Sequence, residues 1–132
     1  MKCGLSLDDC LPAERAVAIG EAVGTTYPFT GEGIGKAMYS GILAAEALHD
    51  AIARDDPSWL LHYREGIRHL VPVYNSYAAV ESWLARPRTS RFLFNRLRRS
   101  RFLQGIVDDV FHNDASPAPL LHPLTLLRSY WK

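Results

Sequence analysis

Apolar residues recur with a helical period over most of the chain. Between 33 and 53 they fall at Ile34, Met38, Gly41, Ala45, Leu48 and Ile52, intervals of 4, 3, 4, 3 and 4 that mark one stripe of a 3.6-residue helix. The neighbouring Gly35, Ala37, Ser40, Ala44 and Ala47 are small, so this helix is able to lie very close to another backbone. Arg54-Asp55-Asp56-Pro57 ends it, with Asp56 placed to cap a second helix and Pro57 in that helix's first turn. The second helix carries Leu60, Tyr63, Ile67, Leu70, Tyr74, Tyr77 and Leu84 on one face, and a kink is expected at Pro72, where the ring removes a ladder bond. Arg86-Pro87-Arg88 interrupts the pattern. A third helix, expected over about 90–112, groups Phe102, Ile106 and Val110 with Leu103 and Val107. Residues 113–119 read as loop, and Leu121, Leu124, Leu126, Leu127 and Tyr130 predict a short terminal helix after Pro123.

Upstream of the first helix the pattern changes. Ala16-Val17-Ala18-Ile19 is short, apolar and closed by Gly20, which reads as a buried strand. Residues 24–33 hold three glycines and a proline, so regular structure is excluded there, and Thr30 stands where it is able to cap the following helix. The chain therefore reads as mainly α with a short β element. Its expected division is 1–54 (strand, Gly/Pro loop, long helix) and 55–132 (a helical region).

The 132 residues, 48% hydrophobic and 22% charged, suffice for an ordinary globular core. Cys3 and Cys10 have neither C-x-x-C spacing nor a nearby histidine cluster, so free thiols are expected rather than zinc or a disulfide scaffold. His49, His62, His69, His112 and His122 are scattered; His62 and His69 lie two turns apart, too far for joint ligation of one metal from a single helix. The first residues include Lys2 but no apolar run of signal-peptide length, and no segment reaches about 18 uninterrupted apolar residues. A cytoplasmic protein, soluble or peripheral to a membrane, is the expectation.

The net charge of +1 hides an asymmetry. Arg86, Arg88, Arg91, Arg96, Arg98, Arg99 and Arg101 fall within sixteen residues that contain no acid. Such a run is either a solvated helix face or a contact with an anionic membrane surface, for which Phe92, Leu93, Phe94 and Leu97 stand beside the charges. Nucleic-acid stacking is the weaker reading, because no recognition motif accompanies the arginines.

The most specific stretch is Gly20-Glu21-Ala22-Val23-Gly24, then Pro28, then Gly31-Glu32-Gly33-Ile34 opening a small-residue helix. It resembles the second flavin-contacting motif of the FAD-dependent oxidoreductases that include geranylgeranyl reductases and aromatic hydroxylases. The resemblance implies a fragment of an α/β FAD-binding fold followed by a helical C-terminal region. It extends loosely through Ser40-Gly41-x-Leu43-Ala44-Ala45-Glu46-Ala47-Leu48, Leu61-x-Tyr63, the arginine-rich segment and Leu121-x-Pro123-x-x-Leu126-Leu127, which favours the reductase type.

By that resemblance Gly20, Glu21, Gly24, Pro28, Gly31, Glu32, Gly33 and Ile34 contact the cofactor. The backbone of Gly31, Glu32, Gly33 and Ile34 would face the pyrimidine end of the isoalloxazine, Gly24 and Gly31 would leave room for it, and Pro28 would line its flat surface. Glu21 stands where the family usually has Asp, accepting from a ribityl hydroxyl. Glu32 is expected to favour the helix N-terminus rather than to act as an acid or base. The implied activity is reduction of isoprenoid double bonds, with electrons from NAD(P)H or ferredoxin. A flavin monooxygenase of the aromatic hydroxylase type and a non-enzymatic helical module that binds membranes or a partner are the alternatives. The family opens with G-x-G-x-x-G after its first strand, and no such spacing follows a predicted strand here. A fragment, a split gene product or a relic of a larger flavoenzyme is therefore expected, acting with a missing N-terminal FAD-binding part.

Overall fold

The computed structural model describes residues 3–112 and 115–131. Lys2, Lys132 and the first two residues of the predicted 113–119 loop lie outside that range. The chain forms two compact units, Met1–Tyr74 and Asn75–Lys132, so the residues from Pro57 to Tyr74 pack with the first unit, beyond the 54/55 division read from the sequence. The described residues are mainly helical, as expected: α1 (Ile34–Ala53), α2 (Leu61–Arg68), α3 (Val71–Leu84), α4 (Pro87–Leu97), α5 (Arg101–His112) and α6 (Pro123–Arg128), joined by short 3-10 turns.

The β element is reduced to isolated bridges. Ala16 pairs only with Ala13, and Ile19 stays 47% exposed, so the strand expected over 16–19 does not form. Its backbone bonds go elsewhere: Ala18 N–H donates to Cys10 O at 3.0 Å, and Ala18 O accepts from the Tyr63 hydroxyl at 2.7 Å. No neighbouring strand among the described residues offers a ladder, so the segment satisfies its polar groups one by one.

In the first unit Cys10, Val23, Ala44, Ala47, Tyr63 and Ile67 make the core, with Leu5, Leu7, Leu43 and Leu70 packed around them. The face of α1 that enters it is the small one. Ser40, Ala44, Ala47 and Ala51 are buried, while Ile34, Met38 and Ile52, the ends of the apolar stripe, are 82%, 66% and 78% exposed. At 100° per residue the two faces lie about 110° apart, so one helix cannot turn both inward. The small face wins because the Gly-rich loop and α2 come too close for longer side chains. Where a longer α1 side chain, Leu43, does meet α2, it does so at Gly66, where a Cβ would stand only 3.2 Å from it.

Asp56 caps the next turn as expected, its carboxylate accepting from Ser58 N–H at 2.9 Å. That backbone bond, followed by the Ser58 hydroxyl, holds the carboxyl below its ordinary range. The expected Pro72 kink is instead a break at His69–Leu70: the proline sits in the first turn of α3, where no intrahelical N–H is needed. The apolar face read for this region is correct, with Leu60, Tyr63, Ile67, Tyr74 and Tyr77 all buried.

The second unit buries Tyr77, Val80, Leu93, Leu103, Val110 and Leu120. The single helix expected over 90–112 is two, α4 and α5, separated at Arg98–Ser100. Leu93 and Leu97 on one side and Leu103 and Val110 on the other would face directions about 110° apart on a continuous helix, so burying both requires a turn. Ser100, fully buried, supplies it by accepting from Leu103 N–H at 3.4 Å. Pro87 opens α4, and Thr89 Oγ1 donates to the Trp83 carbonyl across the break.

Gly24 tests how tightly the loop is fitted. Its φ is +77° and a Cβ there would lie 2.2 Å from Gly4 O, whereas a Cβ at Gly35 meets nothing within 4 Å. Gly24→Ala is expected to destabilise the first unit by about 2–4 kcal/mol. Gly35→Ala, in the first turn of α1, is expected to stabilise it by less than about 1 kcal/mol. Denaturant unfolding followed by circular dichroism separates the two.

Candidate functional site

The segment 17–33 is an irregular loop laid across α1, and its position follows from three side chains of the first unit. Ser40 Oγ accepts from Gly20 N–H at 2.9 Å and donates to Ala37 O at 2.8 Å. The Tyr63 hydroxyl holds Ala18 O at 2.7 Å, and the Tyr74 hydroxyl holds Thr25 O at 2.6 Å. The Tyr74 ring also tilts against Tyr27, with centroids 4.7 Å apart. Lys36 Nζ lies 5.7 Å from the centre of the Tyr27 ring.

The turn that precedes α1 closes on itself. Tyr27 N–H donates to Glu32 O at 2.7 Å, Gly31 N–H to Tyr27 O at 3.1 Å, and Thr30 N–H to Pro28 O at 2.9 Å. Gly33 then seats the strap on Thr26: a Cβ at Gly33 would come within 2.8 Å of Thr26 Oγ1 and 3.0 Å of Thr26 Cα. Thr30 does not cap α1, contrary to expectation. Gly33 is the cap residue, without a side-chain bond, and Thr30 Oγ1 instead meets Glu32 N–H at 3.5 Å inside the turn.

The residues singled out in the sequence divide into two groups. Gly20, Gly24 and Pro28 are buried, Gly20 against α1 and Gly24 against Gly4. Glu21, Gly31, Glu32 and Ile34 are exposed, with Gly33 half-buried between them. Of the second group, Gly31 to Ile34 lead directly into a 20-residue helix, whose first N–H groups precede the Ala37-to-Gly33 bond, while Glu21 stands on the separate turn Gly20–Val23. A positive helix end of this kind attracts an electron-rich group.

Contact with a flavin would require open space at the Gly31–Ile34 edge, and Gly31 leaves it. Gly31 has φ +73° and a Cβ there would meet nothing within 4 Å, whereas Gly33 is closed on one side by Thr26. Gly24 does not fit in the same way. The space that its missing side chain leaves is filled by Gly4 O at 2.2 Å, and residues 4–6 are bonded along it through Gly4 N–H to Thr26 O and Ser6 N–H to Val23 O. Pro28, being buried, presents no open face.

Ser40, Tyr63 and Tyr74 were missed as positioning residues. The sequence holds a signal for the tyrosines: each lies on a buried helical stripe, and a buried phenol needs an acceptor. Among the described residues no three His, Cys, Asp or Glu side chains are grouped to hold a metal ion. His62 stacks on Trp59, His112 pairs with Asp108, and His122 accepts from Leu124 N–H at the start of α6. Cys3 is exposed and Cys10 buried, both as free thiols.

In the second unit the arginine segment is partly committed. Arg96 Nη2 donates to Ser129 Oγ at 3.1 Å, and its guanidinium lies 3.5 Å from the centre of the Tyr130 ring. Arg86, Arg88, Arg91, Arg98, Arg99 and Arg101 are exposed. Phe92 and Phe94 flank the exposed arc, but Leu93 is buried and Leu97 half-buried, so these two leucines belong to the unit's interior rather than to a contact surface. No helix of the described residues is long and apolar enough to cross a membrane. Compared with protein-family models, curated proteins and solved structures, the chain matches none.

Tyr63 yields a pH test of the loop's anchoring. Burial first, then the neighbouring Cys10, pushes its phenol from 10.0 up to about 12, against a smaller opposing effect of Ser40. The folded state thus keeps this proton where the unfolded state releases it, so stability falls as pH rises from about 10 towards about 12. Tyr63→Phe is expected to lower stability at neutral pH and to flatten that alkaline decline. Urea midpoints measured between pH 8 and 11 check both.

Proposed function

We propose that this chain is the C-terminal, flavin-contacting portion of an FAD-dependent oxidoreductase of the geranylgeranyl-reductase type, one that reduces isoprenoid double bonds with electrons from NAD(P)H or ferredoxin. The observation that carries the reading is the exposed Gly31-Glu32-Gly33-Ile34 backbone at the open start of α1, in a sequence that resembles the family's second flavin motif. When bound, the flavin supplies the hydride chemistry. The chain's part is to aim the first N–H groups of α1 at the edge where negative charge builds on reduction, with the closed Tyr27–Glu32 turn fixing their direction. Glu21, exposed on the turn before Gly24, is the residue to accept a ribityl hydroxyl. Preference for reductase over hydroxylase chemistry rests on the likeness of the helical C-terminal part.

The pyrophosphate and adenosine need a cradle that these residues do not contribute, so the purified chain is expected to carry no flavin absorbance near about 450 nm after gel filtration. Co-expression with a polypeptide containing a strand followed by G-x-G-x-x-G, taken from the DNA that precedes the Met1 codon, is expected to yield a yellow complex, and Gly31→Val to bleach it. Stoichiometric flavin on the chain by itself would place the whole cofactor site here. A preceding region without such a segment would overturn the reading.

The exposed row on α1 bears on the same proposal. Ile34, Met38, Ile42 and Ile52 are 57–82% exposed along one side of the helix, and a row of this size is the natural seat of the dinucleotide-binding part. The isolated chain is therefore expected to sediment above its 14.8 kDa monomer mass and to bind apolar dyes, and Ile42→Glu to reduce both. A monodisperse wild-type monomer with little dye binding would favour an independent module.

A further inference from the structure

We infer that the second unit is an anionic-membrane docking module whose contact surface is built from the outer arc of α4 together with α6 and the residues that follow it. Charge divides sharply between the units: Asn75–Lys132 contains nine basic and four acidic residues, against six and ten in the remainder. The exposed arc of α4 presents Arg88 and Arg91 around a shallow depression also lined by Pro87, Phe92 and Asn95. Phe92 and Phe94, 41% and 53% exposed, flank it.

The C-terminal segment adds what the arginines lack. Leu124 and Leu127 are 68% and 59% exposed one turn apart on α6, and Tyr130 and Trp131 follow at 60% and 90%. The segment is not loose on the unit. Arg96 grips it through Ser129 Oγ and the Tyr130 ring, and Arg128 lies 5.1 Å from the ring centre of Phe102 on α5. Arg96 stands one turn from Phe92, so that grip ties the C-terminal segment to the helix that carries the basic arc. One unit thus carries exposed aliphatic and aromatic residues beside exposed guanidinium groups on tethered elements, the combination that seats a peripheral surface in the headgroup layer.

The occupant is lipid rather than nucleic acid on two grounds. Leu124 and Leu127 offer nothing to a base, whereas acyl chains accept them. No strand among the described residues offers the rigid aromatic platform on which bases stack, and no recognition motif accompanies the arginines.

The test uses the full chain and vesicles of phosphatidylcholine with or without about one third phosphatidylserine. Sedimentation with the anionic vesicles is expected, weakening as salt rises, with little binding to phosphatidylcholine alone. Arg88→Glu with Arg91→Glu is expected to reduce the partition more than about tenfold. Leu124→Ser with Leu127→Ser is expected to reduce it at unchanged charge, and these exposed positions leave the helical circular dichroism intact. With Trp59 and Trp83 replaced by Phe, the Trp131 emission is expected to shift to the blue on anionic vesicles. Absence of anionic-vesicle binding, an unshifted Trp131, or tight salt-sensitive binding of a single-stranded oligonucleotide that the leucine variants leave unchanged would each overturn the inference. Flavin plays no part in these readouts, so they stand or fall separately from the proposed oxidoreductase function.

Discussion

A loop without a sheet must find partners for its backbone, and the first unit is organised around that requirement. The carbonyls of Ala18 and Thr25 lie where water does not reach freely, and an unpaired buried carbonyl costs on the order of 1–3 kcal/mol. Two phenols, Tyr63 and Tyr74, arrive from α2 and α3 to meet them. Ser40 does the complementary work on α1, accepting from Gly20 N–H while returning its own proton to Ala37. These groups reach the loop only because α1 shows it alanines and a serine. A longer side chain at Ala44 or Ala47 would lift the loop away from the tyrosines.

The same requirement explains what the sequence disclosed and what it concealed. The period of α1 and the buried face from Leu60 to Tyr77 were legible because apolar spacing reports helix faces directly. The Asp56-Pro57 start was legible because capping is local chemistry. The choice between the two faces of α1 was not legible. Hydrophobicity favours the isoleucine and methionine stripe, but the burial of this helix is decided by how near its neighbours stand, a property of residues 17–33 and 61–68 rather than of the helix. The strand at 16–19 failed for a related reason. Its apolar run fits a ladder, yet a ladder needs a second strand, and a tyrosine and a cysteine carbonyl take that place.

At the candidate site the packing that supports the loop was not legible. Gly31, Glu32 and Ile34, singled out by the resemblance, are exposed, whereas Gly24 is explained by Gly4 at its back and Pro28 by burial within the turn. In the second unit the break at Ser100 illustrates the limit of a continuous stripe. Each half of 90–112 has a sound apolar face, and only their relative phase shows that the helix must turn.

The closed turn before α1 has a further consequence. Tyr27 N–H to Glu32 O, the seating of Gly33 on Thr26, and the tyrosine anchors hold residues 27–33 in one shape without help from a ligand. On the proposed reading, a molecule at the Gly31–Ile34 edge would meet the first N–H groups of α1 already aimed, those of Gly31 and Glu32 being taken within the turn, and would surrender little chain entropy in binding. Affinity at the proposed edge would consequently depend on side chains that never touch the ligand: loosening Tyr74 beneath the loop would weaken binding by restoring motion to the turn, leaving every contacting atom in place.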